Sequence, residues 1–251
     1  MLHYKVMNLV YLLLISTSFV LGCQLNSSNS ASNSTEATES KNSTPIDSSF
    51  ADTSSLRINL TPKGNYNSIK ASVRQKKSTQ HSKEDFENFL ISEIIPHWYG
   101  TEWDFNGYTA VPNQGEIACG YFVSTTLEHM GVVINRYHLA QQAGLNEAKS
   151  LAIADSNYFT VYGYDVLEKR MQTMEDAIYF VGLDNHVGYL YKETGTLYFI
   201  HSNYIEDRVM IEKAEYSQAF QSNIYVVAEL STNELLRERW RTGTRVEVVR
   251  S

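Results

Sequence analysis

The chain has 251 residues, of which 43 % are apolar, so it is long enough to bury a sizeable core. Its net charge of −7 is unevenly divided: residues 1–83 carry a charge near +5 and residues 84–251 a charge near −12. An acidic C-terminal part argues against nucleic acid as a partner, because phosphate neutralisation needs clustered Lys and Arg.

The N-terminal residues have the pattern of an export signal. An apolar run from Leu9 to Leu21 is too short for an ordinary transmembrane helix and predicts a signal peptide over residues 1–22. Val20-Leu-Gly-Cys23 resembles the lipobox of bacterial lipoproteins, in which the cysteine receives a lipid. The resemblance implies a lipid anchor in the bacterial cell envelope. Gln24, directly after this cysteine, resembles the pattern of outer-membrane lipoproteins. It implies a position at the periplasmic face of the outer membrane. A plain signal peptide and an uncleaved anchor are the alternatives.

A tether is predicted between Cys23 and a folded domain over residues 82–251. From Gln24 to Ser55, 19 of 32 residues are Ser, Thr or Asn, a composition that cannot bury enough apolar surface to order itself. A short strand is predicted over residues 58–66. The basic stretch 70–83 is read either as a solvated linker or as a contact with anionic lipid or cell-wall polymer.

The domain should begin with a helix, since Ser82-Lys-Glu-Asp85 looks like a capping box and an apolar face continues to Pro96. Aromatic residues follow around Gly100 and Gly107. They either line a sugar- or peptide-binding cleft or wedge the loop onto the core. The candidates for the cleft are Trp98, Tyr99, Trp103, Phe105, Tyr108 and, past Cys119, Tyr121.

Further along the chain, helices precede strands. The predicted helices cover residues 119–130, 136–143, 146–155 and 166–174, with a last one capped by Ser231 or Thr232 that runs to Trp240. The predicted strands cover residues 177–183, 186–191 and 196–202, with further strands at 209–211 and 224–230. This order predicts one α+β domain with helices packed on one side of an antiparallel sheet.

Cys119 is the first candidate for chemistry. A loop containing Gly115 runs into this cysteine and an apolar helical pattern follows, so the thiol should lie at the start of a helix. Unpaired N–H groups and the positive end of the helix dipole favour a thiolate there. If Cys23 carries a lipid, Cys119 is the one free thiol, which excludes a disulfide framework.

Two histidines could complete a cysteine-based site. A nucleophilic thiol needs a base and a group that orients the base. His186 would open one strand and His201 would lie near the end of the next, so a hairpin could bring the two imidazoles together. Asn203 is an alternative orienting residue, and Asp184 could help to hold His186. The other histidines fit no such geometry, and His129 is predicted to be exposed. Because no short-spaced ligand pair occurs, no metal is expected. No other cofactor is predicted.

This arrangement resembles the papain-like cysteine hydrolases, and most of all the NlpC-type cell-wall peptidases. The resemblance rests on Cys119 at a helix start, His186-Val-Gly-Tyr-Leu-Tyr191 and Phe199-Ile-His-Ser202. It implies a papain-like fold, catalytic roles for Cys119, His186 and His201, and an oxyanion hole that includes Gln114. The chain departs from the NlpC-type pattern at Ala118 and at Gly120-Tyr121.

The implied function is cleavage of amide bonds in peptidoglycan stem peptides, as an endopeptidase or amidase, by a Cys-His-His mechanism. Peptidoglycan or another envelope polymer and, through the lipid, the membrane are the implied partners. The alternatives are a papain-like hydrolase with another amide or ester substrate, and a non-catalytic envelope lipoprotein that binds glycan.

Overall fold

The computed structural model describes residue 56 and residues 60–250. The predicted signal peptide over residues 1–22, the predicted lipidation site Cys23 and the Ser-rich segment 24–55 lie outside these residues. Among the described residues, no helix has both the length and the apolar character that a membrane span requires.

The first helix, α1 (Tyr66–Lys76), lies in the segment predicted to be a tether. The predicted boundary at residue 82 is therefore wrong, and residues 60–65 form no strand. Local sequence did not reveal α1 because only Val73 of its residues is fully buried, so its apolar face is weak. Asn65 caps the helix by accepting hydrogen bonds from the N–H groups of Asn67 and Ser68.

The predicted capping box is confirmed. Helix α2 (Lys83–Glu87) begins after Ser82, whose side chain accepts from the Asp85 N–H, while Asp85 accepts from the Ser82 N–H. The helix continues as a π-helical segment (Asn88–Ile94) and a 3₁₀ turn (Ile95–His97). This unit buries the apolar side chains Phe86, Phe89, Leu90, Ile91 and Ile94.

The helix that starts at the cysteine is confirmed. Helix α3 (Cys119–Met130) ends at Gly131, whose φ of 100° is left-handed and suits glycine. The short helices α4 (Arg136–Ala140) and α5 (Gly144–Ala152) follow, and α5 begins two residues before the predicted start at residue 146.

The remaining elements form and cover the sheet. They are β1 (Tyr158–Tyr162), α6 (Tyr164–Gln172), β2 (Ala177–Gly182), β3 (Val187–Glu193), β4 (Thr196–Asn203), β5 (Arg208–Lys213), β6 (Ile224–Glu229) and α7 (Glu234–Thr242). Strand β1 was not predicted from the sequence. The cap of α7 is Asn233, which accepts from the Leu236 N–H, and not Ser231 or Thr232.

The strands build one antiparallel sheet in the order β1-β6-β2-β3-β4-β5. One face packs against α1, α2, α3 and α5 through side chains such as Tyr189 and Ile200. The other face packs against α6 and the loop around Phe220 through Leu190 and Phe199. The α+β class and the antiparallel sheet are thus confirmed, although helices cover both faces and not one.

Basic side chains of α1 cap other helices. Arg74 donates from Nη2 to the Glu128 carbonyl at 2.8 Å and from Nε to the His129 carbonyl at 3.2 Å, at the C-terminal end of α3. Lys77 donates to the Trp240 carbonyl at the end of α7. Cations at these ends interact favourably with the unpaired carbonyls and the helix dipole. These two charges therefore contribute to the stability of the fold.

Tyr66 links α1 to the core. Trp98 Nε1 donates to the Tyr66 hydroxyl at 2.7 Å, and this hydroxyl lies 2.8 Å from His129 Nδ1. His129 is buried, so its predicted exposure is wrong. Burial, together with the charges of Lys70 and Arg74, lowers the His129 pKa to about 3, so the ring is neutral and can accept from Tyr66.

We predict that Tyr66→Phe lowers the free energy of unfolding by about 2 kcal/mol, because the Trp98 N–H and His129 Nδ1 lose their buried partner. Urea unfolding monitored by circular dichroism measures the change. Tyr162→Phe is the matched control, since Tyr162 is 71 % exposed, and it should shift stability by less than about 0.5 kcal/mol. Equal stability of the two variants would contradict the role of Tyr66.

Candidate active site

Cys119 lies at the wall of a cavity of ≈ 380 Å³ beside the start of α3. His186, Val187 and Glu147 line the same cavity, together with apolar or small residues of α4, α5 and β6. The volume falls in the range of small-molecule and substrate sites in proteins. The cavity therefore brings together the thiol and one of the two predicted histidines.

The loop before the cysteine is fixed by hydrogen bonds. Ser202 Oγ of β4 donates to the Ile117 carbonyl at 2.7 Å, and the Ala118 N–H donates to the Gly107 carbonyl at 2.8 Å. A Cβ at Gly107 would lie 2.6 Å from the carbonyl carbon of Glu116, so only glycine allows this approach. These contacts set the position of Cys119 relative to the end of β4.

The two predicted histidines are in contact. His186 Nε2 lies 2.7 Å from His201 Nδ1, and His201 Nε2 lies 2.9 Å from Glu212 Oε1. Gly188 makes room for this pair, because a Cβ there would lie 2.9 Å from the His201 Cβ. His186, His201 and Glu212 therefore form a continuous hydrogen-bonded chain, which we call the histidine chain.

The carboxylate at the end of the histidine chain determines where its protons lie. Glu212 as a carboxylate can only accept, so His201 must carry its proton on Nε2. A neutral His201 then accepts at Nδ1, and His186 must donate from Nε2. The remaining nitrogen of His186, Nδ1, is left unprotonated. The arrangement thus supplies a neutral imidazole with one basic nitrogen outside the chain.

Burial keeps both rings neutral. It lowers the His201 pKa, although Glu212 acts in the opposite direction. The His186 pKa lies well below its usual value because of burial and the adjacent His201. Burial raises the Glu212 pKa, but hydrogen bonds from His201 and Ser217 outweigh it and the net shift is downward. An ionised Glu212 and two neutral histidines are the consistent protonation state.

The prediction that the helix start favours a thiolate at Cys119 is wrong. The pKa of Cys119 is raised to about 11, chiefly by burial. The backbone N–H groups of Val187, Gly120 and Cys119 act in the opposite direction but do not compensate. The prediction from the helix position alone was a lowered Cys119 pKa, because that argument leaves out the desolvation of the buried thiol.

The thiol and the histidine chain lie on opposite sides of the sheet, and Cys119 and His186 both line the cavity beside the start of α3. Val187 and Tyr189 face the side of α3, whereas Gly188 lies against Phe199 and His201 on the opposite face. Cys119 packs at the α3 side, and the His186 ring contacts Phe199 on the other side with centroids 5.6 Å apart. Within the described part of the chain, no hydrogen bond joins Cys119 Sγ to His186 or His201.

Other sequence candidates occupy different positions. Gln114 is exposed in a turn and does not line the cavity of Cys119. Asn203 contacts Glu212 at 3.3 Å and caps the turn after β4, so His201 and not Asn203 contacts His186. Asp184 lines the cavity but accepts from Asn223 and not from His186.

The aromatic candidates divide into two groups. Trp98 is fully buried and Tyr99 packs against the main core, so these two belong to the core and not to a cleft. Tyr121 also packs against this core, whereas Trp103, Phe105 and Tyr108 are not part of it. Trp103 contacts Tyr204, whose ring lies 5.1 Å from His186. Tyr121 packs between Tyr108 and Tyr137, while Phe105 is 79 % exposed.

Sequence reasoning missed Glu212, Glu147 and Tyr204. A signal for Glu212 existed in the strand pattern: His201 pairs with Met210 in the β4–β5 register, which makes Glu212 its diagonal neighbour. No local pattern pointed to Glu147, since its approach to Cys119 depends on how α5 packs.

Comparisons of the chain with protein-family models, with curated proteins and with solved structures gave no match. The function is therefore argued from the geometry of the site.

We predict that alkylation of Cys119 by iodoacetamide accelerates about tenfold per pH unit from about pH 7 to about pH 9.5, because the thiolate is the nucleophile. Mass spectrometry of the Cys119 peptide gives the rate. Glutathione is the control, and its rate should level off near the usual cysteine pKa of about 8.5. A plateau for Cys119 below about pH 8 would show that its pKa is not raised.

Proposed function

We propose that the protein is a cysteine hydrolase that cleaves an amide bond, with Cys119 as nucleophile and His186 as base. The observation that carries the proposal is the histidine chain, which ends at the cavity that Cys119 lines. A structural histidine pair has no need of a cavity beside a thiol. The resemblance of the Cys119, His186 and His201 segments to papain-like enzymes of the NlpC type adds to this argument.

In the proposed mechanism, Cys119 Sγ attacks the carbonyl carbon as His186 Nδ1 takes the thiol proton. The C–N bond then breaks, and the imidazolium gives its proton to the leaving amine. Water attacks the thioester with His186 again as the base, which releases the acid and restores the thiol. His201 and Glu212 orient His186 and stabilise its charged form. Because the resting thiol is neutral, the proton transfer to His186 would accompany the attack. A thiolate–imidazolium pair would not form beforehand.

A hydrogen bond between Cys119 and His186 must form during this reaction. Catalytic hydrogen bonds are often long in unliganded enzymes and shorten when the substrate binds. Gly144 lines the cavity, and its backbone is in close contact with that of Gly182. Substrate that fills it would bury both reacting groups from water.

The proposed substrate is a peptidoglycan stem peptide, cleaved by an endopeptidase or amidase activity. The resemblance to cell-wall peptidases and the lipoprotein-like N-terminus support an envelope location, with a lipid on Cys23 at the periplasmic face of the outer membrane. The exposed side chains Phe105 and Tyr108, together with Trp103 and Tyr121 near the site, suit a peptide or sugar that extends beyond the cavity.

A non-catalytic glycan-binding module is the second candidate. The raised pKa of Cys119 and the exposed Phe105 and Tyr108 favour it. Binding of insoluble peptidoglycan without release of fragments would support this candidate over a hydrolase.

The decisive prediction is that Cys119→Ala and His186→Ala each lower the release of muropeptides from purified peptidoglycan by at least about 10³-fold. Chromatography of the soluble fragments measures the release. His138→Ala is the control, because this histidine is exposed and lies outside the site. Release by Cys119→Ala at the rate of the unaltered protein would remove Cys119 from the mechanism.

A further prediction concerns Glu212. Glu212→Gln should lower kcat about 10²-fold with little change in KM, because a neutral amide no longer fixes the proton on His201 while the cavity is untouched. Glu206→Gln, in the turn after β4, is the control for a lost acid outside the histidine chain and should keep full activity. An unchanged kcat for Glu212→Gln would exclude Glu212 from the mechanism.

A further inference from the structure

Glu147 of α5 is a buried acid beside the candidate nucleophile. It is 1 % exposed, and it lines the cavity together with Cys119 and His186. Its Oε2 atom is buried and has no hydrogen-bond partner. An unsatisfied buried carboxyl oxygen costs about 1–3 kcal/mol, so its retention at this position calls for an explanation.

The carboxyl group lies against the first turn of α3. A Cβ built on Gly120 would be 3.3 Å from Glu147 Oε1 and 2.8 Å from the Ala140 carbonyl oxygen. The absence of a side chain at Gly120 therefore lets Glu147 approach the helix start. The first N–H groups of a helix have no intrahelical partner, and at α3 they belong to the Cys119 turn.

The surroundings favour the protonated acid. No Lys or Arg is among the residues that line the cavity, so no cation is available to pair with a carboxylate. Burial raises the Glu147 pKa well above its usual value. A protonated carboxyl group is a hydrogen-bond donor, whereas a carboxylate only accepts.

We propose that the carboxyl O–H of Glu147 donates a hydrogen bond to the oxyanion that forms when Cys119 attacks a carbonyl group. The inference rests on the proposed hydrolase function and names a catalytic residue for it. The Cys119 backbone N–H would be the second donor. Glu147 thus takes the place that the resemblance to papain-like enzymes implied for Gln114, which is exposed and outside the cavity.

A protonated acid suits this role. The negative charge on the carbonyl oxygen develops only in the transition state, so a fixed donor stabilises that state more than the substrate. A buried carboxylic acid held neutral by an apolar site is a known form of oxyanion donor. In the resting protein Oε2 lacks a partner, and the oxyanion would provide one.

The test compares two reactions of Cys119. p-Nitrophenyl acetate acetylates the sulfur: the Sγ–C bond forms, the ester C–O bond breaks, p-nitrophenolate leaves and His186 takes the thiol proton. This reaction passes through an oxyanion. Iodoacetamide alkylates the same sulfur by displacement of iodide at a saturated carbon, where no oxyanion forms. The variants are Glu147→Gln, which keeps a donor of similar shape, and Glu147→Met, which removes it.

Glu147→Met should lower the acetylation rate constant about 10²-fold, and Glu147→Gln less than about threefold. Both variants should be alkylated within about threefold of the unaltered protein. p-Nitrophenolate absorbance and the mass of the Cys119 peptide report the two rates, and thermal unfolding checks that both variants fold.

Acetylation of Glu147→Met at the unaltered rate would overturn the inference and leave the hydrolase proposal intact. An equal loss of acetylation and alkylation would also overturn it, since Glu147 would then affect thiol reactivity in general. If the unaltered protein is alkylated at Cys119 but not acetylated, the hydrolase proposal fails and the inference fails with it.

Discussion

The contact between α3 and strands β3 and β4 is the constraint on which the candidate site depends. The buried Tyr189 hydroxyl of β3 donates to the Val123 carbonyl of α3 at 2.9 Å, and it lies 2.7 Å from Thr126 Oγ1. At the other end, Ser202 of β4 holds the Ile117 carbonyl just before Cys119. These buried polar contacts fix the position of the helix along the sheet, and thereby the position of the sulfur at the cavity that His186 also lines.

Burial has opposite consequences for the groups of the site. It keeps His186 neutral, which a base requires, and it keeps Glu147 protonated, which a donor requires. The same burial raises the pKa of Cys119 and so works against a resting thiolate. In the resting site the Cys119 thiol and the Glu147 carboxyl group are therefore both protonated. In the proposed reaction the thiol proton moves only when a substrate is present.

Helix α1 precedes residue 82, where the domain was predicted to begin, and yet it is part of the folded domain. Arg74 of α1 donates to the last carbonyls of α3, and Cys119 stands at the first residue of that helix. Tyr66 of the same segment bonds to Trp98 and His129 in the core. Helix α1, whose composition is that of a linker, thus stabilises the far end of α3, the helix that begins at Cys119.

The sequence by itself determined the elements whose cause is local: the capping box at Ser82, the helix from Cys119 to Gly131 and the hairpin that joins His186 to His201. Tertiary structure decided what depends on contacts between distant residues. It made α1 a helix through weak apolar contacts and through the hydrogen bonds of Tyr66 and Arg74 to the core and to α3. It placed Trp98 in the core, and it brought Glu212 and Glu147 to the site from a strand and a helix that share no motif. The pKa of Cys119 belongs to this second group, because desolvation depends on everything packed around the sulfur and no spacing in the sequence encodes it.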